Sequence, residues 1–231
     1  DVVVPPVAKP YIVARSPFRL RDEHALAEHW KQRSTQLFFY GTLCWNEERL
    51  QPLTSIGELL QRCQHSGSYS FGLRLRLFMQ HRNVSGFRFF AKDFAPSLPG
   101  HHIDPEEEML HSKFCVAPTG TGWGTRTAIA IILGCVPVLL QDDGRHDPVA
   151  QPFSEEIEWR NFSVYVPNRQ LHQLPKLLAE VDIEAKRAAL GKVWTRMVWR
   201  KALPQTMQSW IDGPDAFESM LSSMARRLVL F

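Results

Sequence analysis

The chain has 231 residues, 44% of them hydrophobic and 22% charged, the composition of an ordinary globular protein that buries a sizeable core. A formal charge of +3 is too weak for a nucleic-acid footprint and suits an anionic small ligand such as a nucleotide diphosphate. The longest apolar stretch, 128 to 140, falls short of the ~20 residues of a membrane helix and contains Gly134 and Pro137.

In chain order, residues 1–34 open with a Pro-rich, extended lead-in, VPPVAKPYIV, followed by a polar segment rich in His and Arg. TQLFFYGTL (35 to 43) reads as a buried strand with Gly41 at its tip. The stretch from Glu47 to Gln61 carries Leu50, Leu53, Leu59 and Leu60 at spacings of an irregular helix. Residues 73 to 90 alternate basic and apolar groups (LRLRLF, FRFF), which fits a strand or the basic face of a helix. APSLPGHHIDP is a loop, and EEEMLHS a short acidic helix.

From Ser112 the pattern sharpens. KFCVAP is a strand, TGTGWG a glycine-rich loop, TRTAIAIILG an apolar helix stopped by Gly134, and CVPVLL a second buried strand. A long loop with a short helix leads to a third strand, FSVYVP, and then to the helix LHQLPKLLAEV. Strand, glycine loop, helix and strand in this order build a right-handed parallel unit, so the fold class is α/β with a Rossmann-like sheet. The Rossmann-like domain spans 35–182, and 183–231 form C-terminal helices with Trp194, Met197 and Trp199 on one face.

Four cysteines lack a CxxC pair, and Cys115 and Cys135 in their apolar runs read as buried free thiols. Two sequons, at Asn83 and Asn161, are glycosylation candidates in a secretory compartment. The acidic and histidine clusters Asp142, Asp143, His146, Asp147 and His101, His102, His111 show no ligand spacing, so no metal is expected.

The glycine loop carries the chemistry. Gly120, Gly122 and Gly124 let backbone N–H groups approach a ligand, and the following helix presents its positive end. Arg126 in the first turn is unfavourable for the helix alone and makes sense opposite an anion, since arginine binds phosphate bidentately. The loop fits neither the Walker pattern nor GxGxxG, which disfavours an ATPase or a dehydrogenase.

The block SKFCVAPTGTGWGTRTAIAIILGCVPVLLQDD, followed by QPFSEEIEWRNFSVYVP, resembles the exostosin family signature. DVVVPP, LFFYGTL, SYSFGLR, KVWTRMVW and DAFESML extend the match along nearly the whole chain, and GWGTR resembles green-algal members. The resemblance implies the C-terminal, donor-binding half of an inverting GT-B glycosyltransferase. Such an enzyme takes a sugar from a UDP-linked donor to a glycan acceptor in extracellular polysaccharide synthesis. It also implies a Golgi-lumenal type II membrane protein whose anchor and acceptor half precede Asp1. That half would supply the general base, and an oligomer is compatible with this picture.

In these terms Arg126 and the backbone of Thr119, Gly120, Thr121, Gly122, Trp123, Gly124 and Thr125 would bind the diphosphate. Arg74 is a second phosphate candidate, or a surface cation beside Arg76. Gly41 would admit the donor, or simply turn the chain. Glu155 would bond sugar or ribose hydroxyls, or cap a short helix. Trp123 would cover the uracil or sugar, or pack on its own loop. No metal or other cofactor is implied. Where many members carry a ribose-binding Glu this chain has Ile129, which favours as alternatives a catalytically silent binding or assembly module. A nucleotide-binding protein outside sugar chemistry is the third reading, opposed by the PFSE and Ile-x-Trp blocks.

Overall fold

The computed structural model describes residues 2–20, 22–44, 51–65, 69–119, 124–142 and 149–229. Five strands form one parallel sheet in the order β2-β1-β3-β4-β5, namely β1 (Thr35–Gly41), β2 (Phe87–Ala91), β3 (Ser112–Pro118), β4 (Val136–Leu140) and β5 (Val164–Tyr165). Leu37 to Phe39, Phe114 to Ala117 and Val138 to Leu140 are buried as continuous runs, as expected for a sheet covered on both faces.

The lead-in is not extended. Pro10–Ala14 forms α1 and Glu23–Lys31 forms α2, which Asp22 caps by accepting from the amides of His24 and Ala25. Pro10 occupies the first helical position, where its missing N–H costs nothing. Both segments are tied to the sheet. Ile12 and Val13 are buried, and Arg33, 2% exposed, donates to the carbonyls of Met109, Ser112 and Leu133 at 3.1, 2.6 and 2.6 Å.

The described part of the third segment gives α3 (Ile56–His65). Residues 73 to 90 resolve into both alternatives: α4 (Leu73–His81) and then β2. Helix α5 (Pro105–Leu110) precedes β3, and α6 (Thr125–Ile132) joins β3 to β4. Gly134 follows α6 at φ 70°, and a Cβ there would stand 2.4 Å from the Trp30 ring, so only glycine fits. After β5 come α7 (Leu174–Ala179), α8 (Ile183–Val193), α9 (Gln205–Gln208) and α10 (Ala216–Val229). Trp194 and Met197 are buried as the pattern implied, and half-buried Trp199 donates from its indole to the Pro5 carbonyl at 2.9 Å.

The cysteines correct the free-thiol reading. Cys115 pairs with Cys135, and Cys44 with Cys63, at Cα separations of 5.7 and 5.1 Å within the usual disulfide range. Pairing of β3 with β4 brings Cys115 and Cys135 together, whereas Cys44–Cys63 ties α3 to the chain just beyond β1. Among the described residues, no helix is long and apolar enough to cross a membrane.

Candidate functional site

The chain leaves β1 toward β2 on one side of the sheet, and leaves β3 toward β4 on the other. The crevice beyond the carboxy ends of β1 and β3 is therefore the topological switch point, where open α/β sheets bind ligands. Gly41 ends β1, Thr119 follows Pro118 at the end of β3, and Arg126 lies in the first turn of α6. Arg74 comes in from the first turn of α4.

These four residues meet. A Cβ on Gly41 would stand 3.0 Å from Arg126 Nη2 and 3.6 Å from Arg74 Nη1, so the glycine makes room for two guanidiniums rather than merely turning the chain. Arg74 is buried, while Arg76, two residues on and hence across the helix, is exposed. The Arg74 guanidinium donates to the Thr119 carbonyl from Nε (3.1 Å) and Nη2 (2.9 Å), and to the Thr42 carbonyl from Nη1 (3.2 Å). It lies 4.7 Å from the centre of the Tyr69 ring. The Thr119 amide in turn donates to the Leu140 carbonyl, which holds the end of β3 against β4.

The electrostatics are unbalanced. Among the described residues, no carboxylate forms an ion pair with Arg74 or Arg126. Desolvation, and then the neighbouring Arg74 charge, push the Arg126 guanidinium down to about 10. Desolvation also lowers Arg74, against the opposing pull of Tyr69 and Asp93. Both remain cations at neutral pH. The N-terminus of α6 starts at Gly124, left-handed at φ 71°, with no side-chain cap among the described residues. Two adjacent cations and an uncapped helix start can neutralise and orient a diphosphate.

Thr119, Gly124 and Thr125 thus lie around the crevice, whereas Gly120, Thr121, Gly122 and Trp123 fall outside the described residues. Glu155 goes elsewhere: it is exposed and takes a bidentate bond from Arg227 of α10, at 2.9 and 2.5 Å, instead of joining the arginines or capping a helix. Asn83 is exposed in the turn between α4 and β2, and Asn161 is exposed just before β5. Asp142 accepts from the Tyr165 hydroxyl and the Asn168 amide, so its oxygens serve the fold. Asp143, His146 and Asp147 are outside the described residues. His111 pairs with Glu107. Among the described residues, no group of three or more His, Cys, Asp or Glu is placed to hold a metal ion.

Sequence reasoning missed two contributors. Asp93 is buried after β2, and its carboxylate accepts from the amides of Leu43 (2.9 and 3.0 Å) and Cys44 (2.9 Å), fixing the chain just beyond Gly41. Ser70 is buried with its hydroxyl 3.4 Å from that of Thr119. Asp93 lies outside the quoted motifs, and Ser70, though within SYSFGLR, acts on Thr119, 49 residues away.

With this geometry in place, comparison with known proteins adds the following. The family model of the Exostosin GT47 domain matches residues 6–181. The chain is 29% identical over 166 residues to Probable glucuronosyltransferase GUT1 of Oryza sativa subsp. japonica, which covers 70% of this chain and 35% of that protein. It is 29% identical over 166 residues to Probable beta-1,4-xylosyltransferase IRX10 of Arabidopsis thaliana, covering 70% and 36%. A third relative, Probable glucuronosyltransferase 47 A of Physcomitrium patens, is 30% identical over 125 residues, covering 53% and 26%. The chain thus spans roughly a third of the length of these curated relatives.

Proposed function

The chain belongs to the exostosin GT47 family, and from that premise we propose that it is the donor-binding half of an inverting glycosyltransferase. It takes a nucleotide-linked sugar, UDP-linked by family resemblance, and passes the sugar to a glycan acceptor in cell-wall or extracellular polysaccharide synthesis. The observation that carries the reading is the pair of guanidiniums, Arg74 and Arg126, meeting at Gly41 beyond the switch point.

Charge develops on the diphosphate as the sugar–phosphate bond breaks. Cations already held in place there, with their solvation cost met by folding, stabilise that charge more than mobile ones can. Arg74 is fixed by three hydrogen bonds to carbonyls, so it arrives oriented. Arg126 lacks such anchors among the described residues and can turn its donors to the ligand. Two guanidiniums supply the charge that a divalent ion supplies elsewhere, so transfer proceeds without a metal. The general base belongs to the remainder of a relative-length protein, together with the acceptor site. Two disulfides fit an oxidising lumen, in keeping with a Golgi location.

Transfer is tested on the complete protein with UDP-xylose and UDP-glucuronic acid, a xylan oligosaccharide acceptor, and EDTA throughout. Product with a β linkage from an α-linked donor is expected. Tight UDP binding without transfer to any acceptor supports a silent assembly module instead, the reading favoured by Ile129. Absence of UDP binding by calorimetry sinks both.

A further inference from the structure

The turn that delivers Arg74 is strained. Tyr69–Gly72 is a 3-10 turn in which Ser70 and Phe71 both sit at φ 52°, ψ 26°, followed by Gly72 at φ 68°. Three successive residues are therefore left-handed, and two of them carry a Cβ that penalises this conformation. For a bulky aromatic residue it is a genuine outlier. Such strain persists where surrounding contacts over-determine it, and it concentrates at binding sites.

Two contacts of the turn reach the residues around the crevice. Ser70 is buried against Thr119, and the Tyr69 ring lies against the Arg74 guanidinium. Phe71, between Ser70 and Gly72, is instead 43% exposed. Burial does not account for a phenylalanine at this position, and glycine would take the same backbone without strain. A partly exposed apolar ring is thus carried, at a conformational cost, by the turn whose neighbouring residues meet Thr119 and Arg74.

We propose that Phe71 is the stacking platform for the nucleobase of the nucleoside diphosphate whose phosphates lie on Arg74 and Arg126. This rests on the donor-site reading above. A ribose separates the base from the phosphates, so the platform belongs at the rim and not beside the guanidiniums. A phenyl ring offers a flat face with few rotamers to freeze, and stacking tolerates any base. Phe71 therefore supplies affinity for the nucleoside without choosing between uracil and adenine.

The test uses the full chain and two probes, UDP and inorganic pyrophosphate, with calorimetry on wild type, Phe71→Gly and Phe71→Tyr and thermal melts without ligand. Phe71→Gly is expected to weaken UDP roughly 10- to 100-fold, the range of an aromatic–base stack, to leave pyrophosphate unchanged, and to raise the ligand-free melting temperature. Phe71→Tyr keeps UDP affinity. ADP loses as much as UDP in Phe71→Gly. Equal loss of UDP and pyrophosphate would show that Phe71 only shapes the turn, and unchanged UDP affinity would show that it does nothing for the base. Either result overturns the proposal. A wild type that binds neither probe overturns the donor-site reading and this inference with it.

Discussion

Replacing Arg126 by Met separates the site's electrostatics from its packing. Met keeps most of the aliphatic stem and removes the charge. At an effective dielectric of ~20, two cations ~6 Å apart repel by roughly 3 kcal/mol. Desolvation first, and the Arg74 charge second, depress Arg126 from 12.5 to about 10, a total cost to the charged form of about 3 kcal/mol at about 1.4 kcal/mol per unit. Contact with the Phe39 ring, 5.8 Å from the guanidinium, returns part of this. A gain of about 1–2 kcal/mol in the ligand-free state remains, equivalent to a rise of roughly 2–8 °C in melting temperature for a chain of this size. Binding moves the other way. Each charge-assisted bond to phosphate contributes about 1.5–3 kcal/mol, so UDP affinity falls ~10- to 150-fold. Differential scanning calorimetry with and without UDP reads both effects in one sample series at low salt. A variant that melts lower than wild type, yet binds UDP equally well, would refute the claim that Arg126 waits for an anion.

Two further outcomes follow from the packing beneath the sheet. Gly134→Ala places a Cβ 2.4 Å from Trp30 at a left-handed backbone position, and should cost about 2–5 kcal/mol in chemical denaturation; near-wild-type stability would mean that Trp30 is not seated on this turn. Burial, and then the charge of Arg33, hold His29 down to about 4 in the folded state, with its ring nitrogen 3.2 Å from Arg33 Nη2. The unfolded chain therefore binds the extra proton first, so stability is intact above pH ~6.5 and falls as pH drops toward 4, by up to roughly 3 kcal/mol. His81 is lowered in the same direction, so His29→Gln should flatten the pH dependence of urea midpoints between pH 6.5 and 4.5 only in part; an unaltered slope would show that His29 does not carry the linkage.

Apolar runs long enough to be buried on both faces announced β1, β3 and β4, and Gly134 marked the end of α6 because its left-handed backbone is a local requirement. Residues 73 to 90 were ambiguous for a physical reason. LRLRLF alternates with the period of a strand, yet Leu73, Leu77 and Phe78 also share one helical face with Arg74 and His81, and burial on that face decides for α4. The true strand, Phe87–Ala91, lies just beyond. Strand pairing, not spacing, creates the Cys115–Cys135 disulfide, so no sequence pattern announced it. In the lead-in, the 5-residue α1 is too short to show a hydrophobic period and is held by packing.

The site divides along the same line. Arg126 was legible because a cation in a helix's first turn contradicts the local dipole, and a local contradiction points to a ligand or a partner. Arg74 was indistinguishable from Arg76 until the helix turned one inward and the other to solvent. Its hydrogen bonds to Thr119 and Thr42 span 45 and 32 residues, distances at which sequence periodicity carries no information. Ile129 sharpens the point. Three residues after Arg126 it shares that face of α6, and it packs, half-buried, against the hydrophobic core. An isoleucine there trades a hydrogen-bond acceptor for apolar contact, so under the donor-site proposal nucleoside affinity comes from surfaces other than α6. Phe71, partly exposed at φ 52° beside Ser70, is the surface proposed for that role.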